Sequence, residues 1–259
     1  RPGPGARTGL ALSRLAAGQM DLALADLETA VQLGSASYQA DVMLVISNLQ
    51  RGRHDAAFKA LQALEKKQPK NPLTHNLKAL IYLDKKDAVA ARNSFERALE
   101  LDSVYLPAVR NLAQLDLAAK NPQAARRRFE VILEKDKDNV EVLLALANLG
   151  ERVGATPREQ IDWLERARKA NPAAIRPHVM LARVHAKAGD AKRALDVAQE
   201  AHAANPDDPE ILDLLGAMQI AAGEKSLALT TYTRLVALQS GSPAALYRLA
   251  SVQALNADA

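Results

Sequence analysis

The chain has 259 residues, 48% of them hydrophobic but only 3% aromatic, so its core must be built from Ala and Leu over many close contacts. Its 34 basic and 30 acidic residues are interspersed and give a formal charge of +4. That pattern lacks the clustered basic and aromatic surface of a nucleic-acid module, and no nucleic-acid partner is expected. Cysteine is absent, which excludes a disulfide framework and thiolate metal sites, and no apolar run approaches the ~18 residues of a membrane-spanning helix.

The opening RPGPGARTG is rich in Gly and Pro, begins without Met or a signal-peptide pattern, and reads as a loose stretch of a processed or excised piece. Beyond it the chain repeats. The unit is clearest at Pro72–Tyr105, where Asn71 and Pro72 cap a first helix carrying Leu77, Leu80 and Ile81 at helical spacing. Asp84-Lys85-Lys86-Asp87 then forms a turn, and a second helix carries Ala91, Phe95, Ala98 and Leu99. The same hairpin recurs with a period of 34 at 4–37, 38–71, 72–105, 106–139, 140–174, 175–208 and 209–242, with a partial repeat or cap at 243–259.

Three columns keep phase. The small residue of the first helix is Ala11, Val45, Ala79, Ala113, Ala147, Ala182, Gly216 and Ala250. The small residue opening the second helix is Ala23, Ala57, Ala91, Ala125, Gln160, Ala194 and Ala228. The position four further on is Leu27, Leu61, Phe95, Phe129, Leu164, Ala198 and Tyr232. The turns carry Gly18, Gly52, Lys86, Lys120, Gly154, Gly189 and Gly223. Asn121-Pro122, Thr156-Pro157, Asp208-Pro209 and Ser242-Pro243 read as caps followed by first-turn prolines, and Thr156 with Glu159 has capping-box spacing. One extra residue falls near Gly154–Pro157 and makes that unit 35 long. A lone hairpin cannot bury its apolar face, so the period predicts an all-α stack forming one domain over 1–259.

These columns and this period resemble the tetratricopeptide repeat, which implies an α-solenoid, a right-handed superhelix of stacked helix-turn-helix units. The tryptophan common in that family's first helix is missing, and Trp163 lies in a second helix instead. The segments Asn71–Leu83, Tyr105–Ala118 and Pro209–Leu238 also resemble the long repeat lipoproteins of the bacterial PEP-CTERM/exosortase sorting system. That second resemblance implies a role in protein sorting or exopolysaccharide production, a periplasmic or outer-membrane-associated location, and a lipid anchor upstream of Arg1. The cytoplasm is the alternative location.

No glycine-rich phosphate loop, G-x-S-x-G or H-E-x-x-H occurs, so no catalytic residue, cofactor or metal site is expected. His178, His185 and His202 are weighed as metal ligands and read instead as packing residues. Arg126–Glu130, RRRFE, reads as a solvated face of a second helix. Binding is sought on the concave wall lined by first helices, at positions opposite the packing columns. These are Asn76, Arg110, Gln114, Asn148, Arg152, Arg176, Arg183 and Lys187, with Glu141, Glu151 and Asp213 beside them. Asn and Arg there suit an extended peptide and its carboxylates, so the expected function is a non-catalytic scaffold for a protein or peptide partner. The alternatives are a polyanion-binding module, for polysaccharide or nucleic acid, and the regulatory repeat arm of a larger enzyme.

Overall fold

The computed structural model describes residues 2–34 and 38–257. Arg1 of the opening stretch, the end of the 4–37 unit and the last two positions of the partial repeat lie outside the described residues. Among the described residues there are fifteen α-helices and no strand. The chain divides into two compact units, residues 1–131 and 132–259, with the division inside one helix.

The first unit contains α1 (Pro4–Ala16), α2 (Met20–Gln32), α3 (Gln39–Gln50), α4 (His54–Lys67), α5 (Pro72–Asp84), α6 (Ala88–Leu101), α7 (Leu106–Ala118) and the start of α8 (Pro122–Lys135). In it α1 packs on α2, α3 on α4 and α5 on α6, and each second helix also touches the next first helix. The second unit contains α9 (Val140–Leu149), α10 (Pro157–Ala170), α11 (Ile175–Lys187), α12 (Ala191–Ala204), α13 (Pro209–Ala221), α14 (Lys225–Leu238) and α15 (Pro243–Ala257), stacked by the same rule. The low aromatic content is thereby explained. Ala11, Ala79, Ala113 and Ala182 on first helices meet second helices whose Ala23, Ala91, Ala125 and Ala194 are likewise buried, so backbones approach closely. Leu27, Phe95, Phe129 and Tyr232 fill the space beside them.

The caps form as the residue types require. Asn71 Oδ1 accepts from the Leu73 amide at 3.0 Å, Asn121 Oδ1 from Ala124 at 3.1 Å, and Asp208 Oδ1 from Glu210 and Ile211. Thr156 and Glu159 complete a reciprocal capping box. Each inter-helix turn passes through the left-handed region, including Lys86 (φ 63°) and Lys120 (φ 59°), where five other turns use glycine. The following amides close these turns, Asp87 N–H donating to Tyr82 O at 2.9 Å and Asn121 N–H to Asp116 O at 2.8 Å.

Two expectations are corrected. The opening stretch is helical from Pro4, because Pro4 suits a first turn, Thr8 and Ala11 are buried, and Arg7 Nη1 reaches Asp26 Oδ1 at 2.8 Å. The irregularity of the fifth hairpin starts earlier than its sequence suggests. Helix α9 stops at Leu149, Gly150 takes φ 46°, and a 3-10 turn runs over Gly150–Val153. A Cβ at Gly150 would lie 2.9 Å from the Gln160 side chain. Gln160 stands where the other hairpins have Ala, and the glycine makes room for it.

Candidate functional site

A first helix packed on both sides, such as α7 or α13, carries two buried stripes, so what it offers for binding is the face they leave. In α13 the stripes are Ile211, Leu215 and Met218, and Leu212, Gly216 and Gln219. Seven of the eight sequence-derived candidates lie exposed outside such stripes: Arg110 and Gln114 on α7, Asn148 on α9, Arg152 in the 3-10 turn, and Arg176, Arg183 and Lys187 on α11. Asn76 does not join them. It is buried, and its Oδ1 has no protein hydrogen-bond partner. Side-chain length is the reason: at this fifth position the short Thr8 and Val179 are also buried, and α3 touches α5, whereas the long Arg110 at the same position is exposed.

The exposed candidates divide between the two units. In the second unit Lys187 Nζ lies 2.8 Å from Glu151 Oε1, and the bond to Lys187 lowers the Glu151 pKa. Asp213 is held by Arg248 at 2.8 Å. Among the described residues Arg176 and Arg183 form no ion pair or hydrogen bond, so α11 presents two uncommitted guanidinium groups seven residues apart, on one face. Uncommitted Arg on a helix face can engage carboxylates in pairs of parallel hydrogen bonds.

The basic cluster at Arg126–Glu130 is committed internally. Arg128 bonds Asp116 and, at 2.8 Å, Glu96, while Arg126 Nε lies 2.7 Å from Glu130 Oε1. Burial opposes the Arg128 charge, yet the bonds to Asp116 and Glu96 outweigh it and raise its pKa. Arg92 Nη1 adds a 2.6 Å contact to the same Asp116. Two more carboxylates are buried: Asp26 between Arg7 and Arg14, and Asp41 with Lys67 Nζ 2.8 Å away. None of the three repeats at the period, so the sequence analysis missed them. They tie helices together and leave no free charge for a ligand.

His178 and His185 are buried within α11, and His178 Nδ1 lies 2.9 Å from the Ala174 carbonyl, to which it donates. Among the described residues no group of three His, Cys, Asp or Glu side chains could hold a metal ion. No described helix is long and apolar enough to cross a membrane.

Comparison with known proteins agrees with this geometry. Three models of the tetratricopeptide repeat match, at residues 82–149, at 8–72 and 43–105, and at 175–218. The chain is 26% identical over 174 residues to an Escherichia coli O157:H7 protein described as cellulose synthase operon protein C. That match covers 64% of the chain and only 15% of the relative. Among solved structures, yeast Tom70 superposes with a TM-score of 0.67 at 15% identity, over 99% of this chain and 55% of Tom70. YrrB, described as a tetratricopeptide protein with an unusual peptide-binding site, superposes with a TM-score of 0.50 at 17% identity, over 73% of this chain and 96% of YrrB. At these identities the solved structures speak for the fold alone. With hairpins repeating at about 34 residues, small-residue columns buried at most helix crossings, and repeat models matching most of its length, the chain belongs to the tetratricopeptide-repeat family.

Proposed function

We propose that the chain is a non-catalytic interaction scaffold, and that the exposed face of α9 and α11 holds an acidic segment of a partner protein. The observation that carries this reading is the pair Arg176 and Arg183, exposed and uncommitted, with Asn148 exposed on the preceding first helix. Arg would take carboxylates, and Asn would bond the peptide backbone. The peptide-binding description of YrrB supports the class of ligand. The setting we propose is the bacterial envelope, in PEP-CTERM/exosortase sorting or exopolysaccharide export, with a lipid anchor upstream. The operon name carried by the Escherichia coli relative supports an exopolysaccharide setting.

The test is a titration of a labelled peptide bearing several Glu residues and a free C-terminus. The double variant Arg176→Glu/Arg183→Glu should bind at least about tenfold more weakly, since one charge-assisted bond contributes roughly 1.5–3 kcal/mol. Equal affinity for the variant would overturn the assignment. The same two Arg side chains also favour a second reading, an anionic polysaccharide. A polyanion should dissociate steeply as salt rises from low to moderate ionic strength, whereas a short peptide should respond only gently.

A further inference from the structure

In the first, fourth and seventh hairpins the first helix is bonded to the second through side chains twelve residues apart. Arg14 donates to Asp26, Arg128 to Asp116, and Thr231 Oγ1 to Gln219 Oε1 at 2.8 Å. The second hairpin breaks this pairing. It has Asn48 on α3 and Ala60 on α4 at the same two places, and a methyl group has no proton to donate.

Asn48 is only 4% accessible. Its Nδ2 donates to the Leu44 carbonyl at 2.9 Å, within its own helix. Only the nitrogen of an amide can face a carbonyl, so the oxygen is the end left over. Among the described residues nothing donates to it. A buried acceptor without a donor is costly, and the space beside Ala60 admits one from outside the chain.

That space is a cavity of about 400 Å³ bounded by α2, α3 and α4. Val31, Leu44, Ala56, Ala60 and Ala63 make its walls apolar, and Asn48 is the polar side chain buried in it. Such a volume, an apolar lining and one fixed polar group are the attributes of a small-ligand site. Ala56, Ala60 and Ala63 share one face of α4 and, being short, form a flat wall suited to a ring. The two charged residues beside the cavity, Glu28 and Lys59, are exposed, so its buried part selects a neutral group.

We propose that this cavity binds a small neutral ring carrying one hydrogen-bond donor, as indole does, with the donor bonded to Asn48 Oδ1. The ring takes the place of the side chain that Ala60 lacks.

Isothermal titration of the 259-residue chain with indole provides the test, with 1-methylindole as the same ring without its donor. Indole should bind at one site with Kd below about 1 mM, and 1-methylindole at least about fivefold more weakly. Asn48→Leu keeps the size of the side chain without the acceptor, and should bind the two rings equally. Ala60→Thr supplies to Asn48 the hydroxyl that Thr231 supplies to Gln219, and should weaken indole to the level of 1-methylindole. A wild type that shows no saturable indole binding overturns the proposal, as does one that binds both rings equally; neither result depends on a variant folding. A preference for indole that persists in Asn48→Leu overturns it too. N-acetyl-tryptophanamide separates the sources of such a ring: binding as tight as that of indole assigns the site to a Trp side chain of a partner, and no binding assigns it to a free small molecule. Both uphold the site.

Discussion

At the scale of single residues, the informative positions are those where a column changes identity and its partner changes with it. Gly216 replaces Ala because Tyr232 replaces Leu or Phe: a methyl at 216 would sit 2.6 Å from the ring. Gly→Ala in a helix ordinarily gains about 1 kcal/mol, but overpacking a filled core costs about 1–3 kcal/mol, so Gly216→Ala should destabilise on balance. Pairing it with Tyr232→Leu recreates the Ala–Leu combination of Ala11 with Leu27, so a double-mutant cycle in urea should show favourable coupling. Additive losses would contradict the pairing. Tyr232 also carries a pH signature. Burial is the main cause that pushes its pKa from 10.0 to about 12, with Asp213 adding to it. The folded value lies above the unfolded one, so stability is intact below pH 10 and falls as pH rises from 10 toward 12. Urea midpoints at pH 9 and pH 11.5 should differ less in Tyr232→Phe than in the wild type.

At the scale of helices, the columns make the architecture legible, because packing demands recur with the hairpin and write the same small residue each time. The caps were legible for the same reason, down to Asn121 and Thr156. The buried carboxylates were not, because each answers a local need at a different register. Asp116 is the clearest. It joins Arg92 of α6 to Arg128 of α8, with Glu96 completing the network. Its neighbours retain partial access to water, so Asp116→Ala should cost about 2–3 kcal/mol rather than the larger loss of a fully buried pair. Urea denaturation of that variant, beside Asp116→Asn with a smaller loss, checks this. Asn76 shows the converse failure. Its polarity suggests a binding wall, but its side chain is short, and in the same column the short Thr8 and Val179 are buried too while the long Arg110 is exposed.

For the whole molecule, the central claim is that packing occupies two stripes of the first helices packed on both sides and binding uses what remains, concentrated on α9 and α11 of the second unit. The sequence narrows the candidates to these faces by subtraction. It does not distinguish Arg side chains already engaged with carboxylates, such as Arg128, from those left uncommitted, such as Arg176 and Arg183, because ion pairing depends on helices distant in the chain. The direct measurement is hydrogen–deuterium exchange of the intact chain with and without the acidic peptide. The account predicts slower exchange confined to α9, the Gly150–Val153 turn and α11, and lost in Arg176→Glu/Arg183→Glu. Peptide-dependent protection confined to the second helices α10 and α12, with α9 and α11 unchanged, would contradict it.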